Sequence, residues 1–267
     1  MIIWLSGSGN SLAVARTLAE KTQDTLLHLN AAPMADLSGE KVIGLVYPTY
    51  SYDAPLKIKE MLGSIRFPKD AYLWIVVTCG STPGNSIFTV HRILRQQGVK
   101  VSYSRIVSMP DSSAICFGND AHAQNKKLEA VPTQLEEIAG EINGRVHRLE
   151  HAGRTFSGTT VNSKLLFPIA TAAVKQDVNR DKCIGCGICA KVCPNSNITV
   201  VDKKAQVGPH CTQCLACVHF CPQQAMEIRH KPTKKEIQYH HPEVKVKDLM
   251  LNRPSILSPE MKRIETE

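Results

Sequence analysis

The chain has 267 residues, of which 43% are hydrophobic, 21% charged and 5% aromatic, and it carries a net charge of +8 at pH 7. That is enough chain for two domains with a sizeable core. No apolar run approaches a membrane span, and the opening Met-Ile-Ile-Trp-Leu is too short for a secretory leader, so a cytoplasmic protein with no membrane contact is expected. Basic residues are scattered in runs no longer than Lys203-Lys204 or Lys234-Lys235, which argues against nucleic-acid binding and for an acidic protein partner.

Residues 1–5 read as a short apolar strand. Ser6-Gly7-Ser8-Gly9-Asn10-Ser11 follows, and then Leu12, Ala15, Leu18 and Ala19 mark one face of a helix. A strand that runs through a Gly/Ser/Asn loop into a helix N-terminus makes an anion site, because amides point outward, hydroxyls add donors and the helix dipole favours negative charge. The loop lacks the Gly-Lys-Ser/Thr of a Walker A sequence and the third glycine of the dinucleotide fingerprint. Neutral donors alone suit a single phosphate. The plainer alternative is a turn that only caps the helix.

Further strands are predicted over Leu26–Asn30, Lys41–Tyr47, Tyr72–Cys79 and Lys100–Val107. Helices are predicted near Pro55–Ile65 and Ser86–Gln97, and a long one over residues 121–150. Strands alternating with helices imply a parallel sheet covered on both faces, which binds ligands at the carboxyl ends of its strands. Two loops fall there, Tyr47–Asp53 and Thr78–Ser86, and with Ser6–Ser11 they would surround one pocket. Ser81, Asn85, Asp111 and Asn119 lie near strand ends and would line it, or serve as ordinary polar loop residues. Cys79 and Cys116 border apolar stretches and read as buried structural thiols.

These three loops resemble those of flavodoxins, whose first loop has the Ser/Thr-x-Thr-Gly-Asn-Thr form and cradles the FMN phosphate. Ser8 and Ser11 stand here where threonines are usual, which keeps both hydroxyls. The resemblance implies a doubly wound sheet of order 2-1-3-4-5. It places Ser6, Gly7, Ser8, Gly9, Asn10 and Ser11 on the FMN phosphate. Pro48, Thr49 and Tyr50 would lie on one side of the flavin, with Thr78, Cys79, Gly80 and Ser81 on the other. The third loop departs from the family by lacking an aromatic residue. Only Tyr50 or Tyr52 would stack, and one flavin face would be open.

Residues 151–163 are polar and rich in Gly, Ser and Thr, as in a linker, and Lys164–Val174 is an apolar docking segment. Cys183, Cys186, Cys189 and Cys193-Pro194 are then repeated as Cys211, Cys214, Cys217 and Cys221-Pro222, each half reading C-x-x-C-x-x-C-x-x-x-C-P. Zinc sites pair their cysteines instead of running four together, and disulfides need an oxidising compartment. The run resembles that of bacterial ferredoxins, in which the cysteine before the proline ligates the other cluster. The resemblance implies two [4Fe–4S] clusters. Cys183, Cys186, Cys189 and Cys221 would hold one, and Cys211, Cys214, Cys217 and Cys193 the other. Ile184, Ile188, Leu215 and Val218 would shield them, with a hairpin over Ile198–Val201 and Ala205–Val207. His210 and His219 lie beside ligands as ordinary structural residues.

The whole chain resembles the flavodoxin–ferredoxin fusion proteins of anaerobes. An α/β flavodoxin-like domain over 1–150 is expected, a linker and docking segment over 151–175, an α+β ferredoxin domain over 176–230 and a tail packed on the surface over 231–267. The functions implied are an electron relay between the clusters and FMN serving an external redox partner, or a flavin-dependent reductase of a small organic substrate fed by the clusters. A redox sensor would need an output module, and none is legible.

Overall fold

Strands buried on both faces are apolar without interruption, and Ile2-Ile3-Trp4 and Tyr72–Cys79 have that pattern. The computed structural model describes residues 1–150, 153–163, 165–172, 174–229 and 231–250. In chain order the first part comprises β1 (Ile2–Trp4), α1 (Asn10–Thr22), β2 (Leu26–His28), β3 (Val42–Pro48), α2 (Leu56–Leu62), β4 (Tyr72–Cys79), α3 (Ser86–Gln96), β5 (Val101–Ser108), α4 (Lys126–Asn143) and β6 (Arg148–Leu149). The strands form one sheet of order β2-β1-β3-β4-β5-β6, parallel throughout. This is the flavodoxin-like order with a sixth strand added. The order reverses between β1 and β3, so the loops that follow them part there and leave a crevice.

Side chains alternate across the sheet, with one register shift on β5 that puts Val101 and Tyr103 on opposite faces. Ile2, Trp4, Val46, Trp74, Val76 and Tyr103 pack with α1 and α4 on one face. Ile3, Leu45, Tyr47, Ile75 and Val77 pack with α2 and α3 on the other. The expected helix over 121–150 is shorter: it spans α4 and ends before Gly144, and the chain then returns as β6 beside Tyr103 and Ser104. Buried Arg105 holds this return in place, with Nη1 bonded to Glu137 (3.0 Å) and Glu141 (2.6 Å) on α4 and Nε paired with Glu150 (3.2 Å) just beyond β6. The 3-10 turn of Leu29–Met34 likewise ends β2 two residues earlier than expected.

The second part comprises α5 (Phe156–Val161), α6 (Phe167–Ala172), β7 (Gln176–Val178), α7 (Ile188–Lys191), β8 (Ile198–Val201), β9 (Lys204–Val207), α8 (Ala216–His219), β10 (Met226–Ile228) and α9 (Val246–Met250). The linker thus contains a helix. Thr155 caps α5, and the side chain of Asn85 receives the Thr155 amide at 2.6 Å, which seats the segment on the third loop. β7 pairs antiparallel with β10, and β8 with β9, the expected hairpin. Residues 151–152, Lys164 and residue 173 of the expected linker and docking segment, His230 of the expected ferredoxin domain and residues 251–267 of the expected tail lie outside the described residues.

The two parts share a core. Val192, Cys214, Ala216 and Phe220 of the cysteine-rich part, with Val244 and Leu249 of the tail, belong to the same apolar cluster as Leu12 and Ala13. Polar bonds stitch the seam: Asn30 Nδ2 donates to the Pro194 carbonyl (2.9 Å), the Lys57 amide to Thr212 Oγ1 (3.2 Å), and Ser51 Oγ to Gln213 Oε1 (2.7 Å). The tail lies across the first loop, with Tyr239 fully buried and donating to Asn10 Oδ1 (2.9 Å), and the His241 amide donating to the Ser8 carbonyl (2.9 Å). A shared apolar core and cross-bonds at this density hold the parts in one arrangement, unlike the polar interfaces of mobile domains.

Candidate functional site

The repeat in the cysteine spacing is also a repeat of backbone shape. Gly185 and Gly187 flank Cys186 with φ of 72° and 74°, and Gln213 and Leu215 flank Cys214 with φ of 62° and 55°. Ser196 and Gln224, each three residues past the last cysteine of its run, have φ of 50° and 48°. Left-handed residues beside a ligand turn successive amides toward a single anionic centre. Amides accordingly reach sulfur at equivalent places: Asn197 N to Cys193 Sγ (3.3 Å) and Ala225 N to Cys221 Sγ (3.2 Å). Two more come from Ala205 N to Cys183 Sγ (3.4 Å) and Gln213 N to Cys211 Sγ (3.3 Å).

The sulfurs gather into two sets. Cys189 has Cys221, Cys186 and Cys183 as its electrostatic neighbours, while Cys214 has Cys193 and Cys211. Cys217 senses Cys214, Cys211 and Cys193, and also Cys189 of the other set, so the sets are adjacent. Burial pushes the Cys189 thiol up to about 11 and raises those of Cys214 and Cys217 further in the same direction. Without metal these are neutral thiols, and binding iron displaces their protons. Exposure varies within the sets. Cys186 is exposed beside Ile184, which is 59% accessible, and Cys193 and Cys211 are half-buried, whereas the other five are buried, Cys214 against the core shared with the first part.

The loops after β1, β3 and β4 converge at the carboxyl edge of the sheet. A cavity of about 30 Å³ there is lined by Ser6, Gly7, Ser8, Asn10 and Ser11 with Pro48, Thr49, Tyr50, Thr78, Cys79 and Gly80. Asp111 and Ser112 from the loop after β5 close it. It has room for a few oxygen-sized atoms and no more. Thr49, Cys79, Gly80 and Asp111 also line an adjoining groove of about 350 Å³, walled by Ser51, Tyr52, Ser81, Thr82, Ser113, Phe117, Val161 and Val174. That volume is within the range of ligand pockets.

A family model described as a 4Fe-4S dicluster domain matches residues 175–222. An uncharacterized ferredoxin of Methanocaldococcus jannaschii is 37% identical over 70 residues, which cover 24% of this chain and 91% of that protein. The chain belongs to the ferredoxins. Its ferredoxin domain follows a flavodoxin-like domain, so the protein is a flavodoxin-like–ferredoxin fusion, with [4Fe–4S] binding the chemistry of the matched residues. A component of an ion-translocating oxidoreductase complex from Methanosarcina acetivorans is 48% identical over 48 residues, 18% of this chain and 18% of that protein. The chain therefore spans less than a fifth of that relative's length. A flavodoxin structure from the domain Archaea matches 53% of this chain and 96% of its own at 16% identity, with a TM-score of 0.37. No helix among the described residues is long and apolar enough to cross a membrane.

The flavodoxin resemblance implies FMN, and the loop chemistry fits it. Gly9 begins α1 with φ of 98°, no side chain caps the helix, and its first turn holds no acidic residue. The first-turn amides of α1 are therefore left for an external anion. The loop's own side chains hold the shape. Ser6 Oγ accepts from the Gly9 amide (3.1 Å), Asn10 Nδ2 donates to the Pro110 carbonyl (2.9 Å), and Ser11 Oγ bonds Thr78 Oγ1 (2.7 Å). Ser11 and Thr78 thus tie the first loop to the third.

Tyr50 lines the small cavity and not the groove, where Tyr52 is the aromatic from the second loop beside Thr49 and Ser51. Phe117, 72% exposed, supplies a second aromatic to the groove from the loop after β5, a segment the three-loop reading omitted. The apolar run Ala114-Ile115-Cys116-Phe117 between Asp111 and Gly118 was the available signal. Asp111 and Ser81 line the pocket, Asn85 is bonded to Thr155 and Thr159, and Asn119 lies exposed outside it. Cys79 borders both cavities, and burial pushes its thiol up to about 11. His219 is buried and joins three segments, with Nε2 facing the Ser112 carbonyl (3.1 Å) and Nδ1 accepting the Tyr239 amide (3.0 Å). His210, by contrast, is exposed.

Proposed function

We propose that the protein is a fixed electron relay between two [4Fe–4S] clusters and FMN that exchanges electrons with a partner protein. Cys183, Cys186, Cys189 and Cys221 hold the outer cluster. Cys193, Cys211, Cys214 and Cys217 hold the inner one. The first-turn amides of α1 and the Ser6–Ser11 loop hold the FMN phosphate, and the groove between Tyr52 and Phe117 takes the ring. When bound, each cluster exchanges one electron and FMN one or two, which makes the assembly a converter as well as a wire.

The observation that carries this reading is the contact at Gly7. A methyl group placed there would lie 2.6 Å from the Tyr50 hydroxyl, 3.0 Å from the Cys214 β-carbon and against the Cys214 carbonyl. A ligand of the inner cluster therefore touches the phosphate loop, while Cys186 of the outer set is exposed. Exposed Arg180, Lys182, Lys191 and Lys203 border the outer set and suit an acidic partner, although Asp181 and Asp202 thin the field.

Anaerobic purification followed by joint assay of iron, sulfide and flavin tests the reading. About eight irons and one FMN per chain are expected. Electron redistribution after rapid reduction should proceed at a rate independent of protein concentration. Eight irons with no flavin after reconstitution would remove FMN from the scheme. Exposed Phe117 at the mouth of the groove favours a second reading, reduction of a small organic acceptor. Steady turnover of such a compound by the chemically reduced protein would support it.

A further inference from the structure

We propose that the Tyr50 hydroxyl is a hydrogen-bond donor to the inner cluster and raises its reduction potential selectively. The inference rests on the assignment of Cys193, Cys211, Cys214 and Cys217 to one cluster. Tyr50 follows β3, in the second loop of the flavodoxin-like domain, and its ring packs against the apolar cluster that contains Cys214. The hydroxyl is buried and has no hydrogen-bond partner among the described residues. An unsatisfied buried hydroxyl is costly, so such a group in a folded core calls for a partner.

The surroundings leave little choice of partner. The hydroxyl and the Cys214 β-carbon both approach the same point above Gly7. The hydroxyl lies beside Cys214, a ligand of the inner cluster, and a phenol O–H beside anionic sulfur is a donor to that sulfur. Tyr50 is also a lining residue of the phosphate cavity, so the same side chain separates that cavity from the inner cluster. The outer cluster has only amide donors at its sulfurs among the described contacts, those of Ala205 to Cys183 and Ala225 to Cys221.

The sign follows from charge. A cluster gains one negative charge on reduction, and a donor to its sulfur stabilises the more negative state. Hydrogen bonds to sulfur are among the factors that set cluster potentials. The Tyr50 bond would therefore pull electrons toward the flavodoxin-like side, a directional bias that the pseudosymmetric cysteine repeat alone would not supply.

The test is Tyr50→Phe, which keeps the ring and removes only the hydroxyl. Both proteins are loaded anaerobically, assayed for iron, and titrated in the FMN-free state by electron paramagnetic resonance. One of the two cluster midpoints should fall by about 59 mV, a tenfold change in a one-electron equilibrium, with the other unmoved as internal control. Deuterium-sensitive Fe–S stretches should lose one contribution in resonance Raman spectra. Unchanged midpoints, or equal shifts in both, would overturn the proposal. So would unchanged midpoints joined to weaker FMN affinity, since the hydroxyl would then serve the phosphate. About four irons in the unsubstituted protein would instead sink the two-cluster assignment beneath it.

Discussion

The contact at Gly7 makes a prediction whose size follows from geometry. Gly7 does not occupy the left-handed region, so alanine there meets no backbone penalty of its own. Its β-carbon would press on the Cys214 carbonyl, a backbone atom that cannot rotate away, and lie 2.6 Å from the Tyr50 hydroxyl and 3.0 Å from the Cys214 β-carbon. Overpacking of this kind costs about 1–3 kcal/mol, against about 0.4–1 kcal/mol gained from a less flexible unfolded chain. Global stability should fall by roughly 1–2 kcal/mol, while the docking equilibrium, which does not involve the unfolded chain, carries the whole overpacking cost, a factor of about 5–160. The readout is hydrogen exchange in the cluster-loaded protein at amides bonded across the seam. These are Lys57 to Thr212 and His241 to Ser8. They should exchange faster in Gly7→Ala by that factor. Gly39→Ala is the control, because nothing lies within 4 Å of its added carbon. Unchanged exchange at these amides, with iron content intact, would refute the close approach of the cluster loop to the phosphate loop.

The crossed assignment of ligands predicts that Cys193→Ala with Cys211→Ala damages one cluster and leaves about four irons, whereas Cys193→Ala with Cys189→Ala damages both; iron assay separates the two outcomes. Burial lowers His219 to about 4, so the folded state keeps it neutral while the unfolded chain takes up a proton near pH 6.5. Its contribution is therefore complete above pH 6.5 and is lost as pH falls toward 4, a change of about 3 kcal/mol at most. His219→Gln should flatten the acid limb of the stability profile over that window. With clusters loaded, Cys79 and Cys116 are held at about 11 and about 12 by burial, so alkylation at pH 8 should run at least about a hundredfold slower than for an ordinary thiol. That rate should rise roughly tenfold per pH unit up to the raised value; a plateau near pH 9 would contradict the burial argument.

Much of this molecule is written in short stretches. The 4Fe–4S domain is legible because a cubane needs thiolates at close spacing, and Cys183–Pro194 and Cys211–Pro222 carry that requirement in short runs. Strands β3 to β5 are legible within about one residue, because parallel strands covered on both faces must be apolar throughout. The loops after β1, β3 and β4 follow from the same rule. Less was visible where exposed or polar residues do structural work. β6 is two exposed residues held by the buried Arg105 cluster, and nothing in Arg148-Leu149 itself announces a strand. Phe117 reaches the groove from outside the three expected loops, and of the two second-loop tyrosines only Tyr52 lines that groove.

The sequence by itself determined the [4Fe–4S] character of the cysteine-rich part and the sheet type of the first part, since ligand type, ligand spacing and hydrophobic period are local properties of the residues. Which cysteine run packs against the first part, which tyrosine lies beside it and how the tail closes over Ser8 and Asn10 were decided only in three dimensions. The two cysteine runs are nearly equivalent as strings. They become different when Cys214, Val244 and Leu249 bury their apolar surface against α1 and leave Cys186 at the surface. Burial between distant segments depends on complementary shapes, and no short window of sequence contains both halves of such a contact.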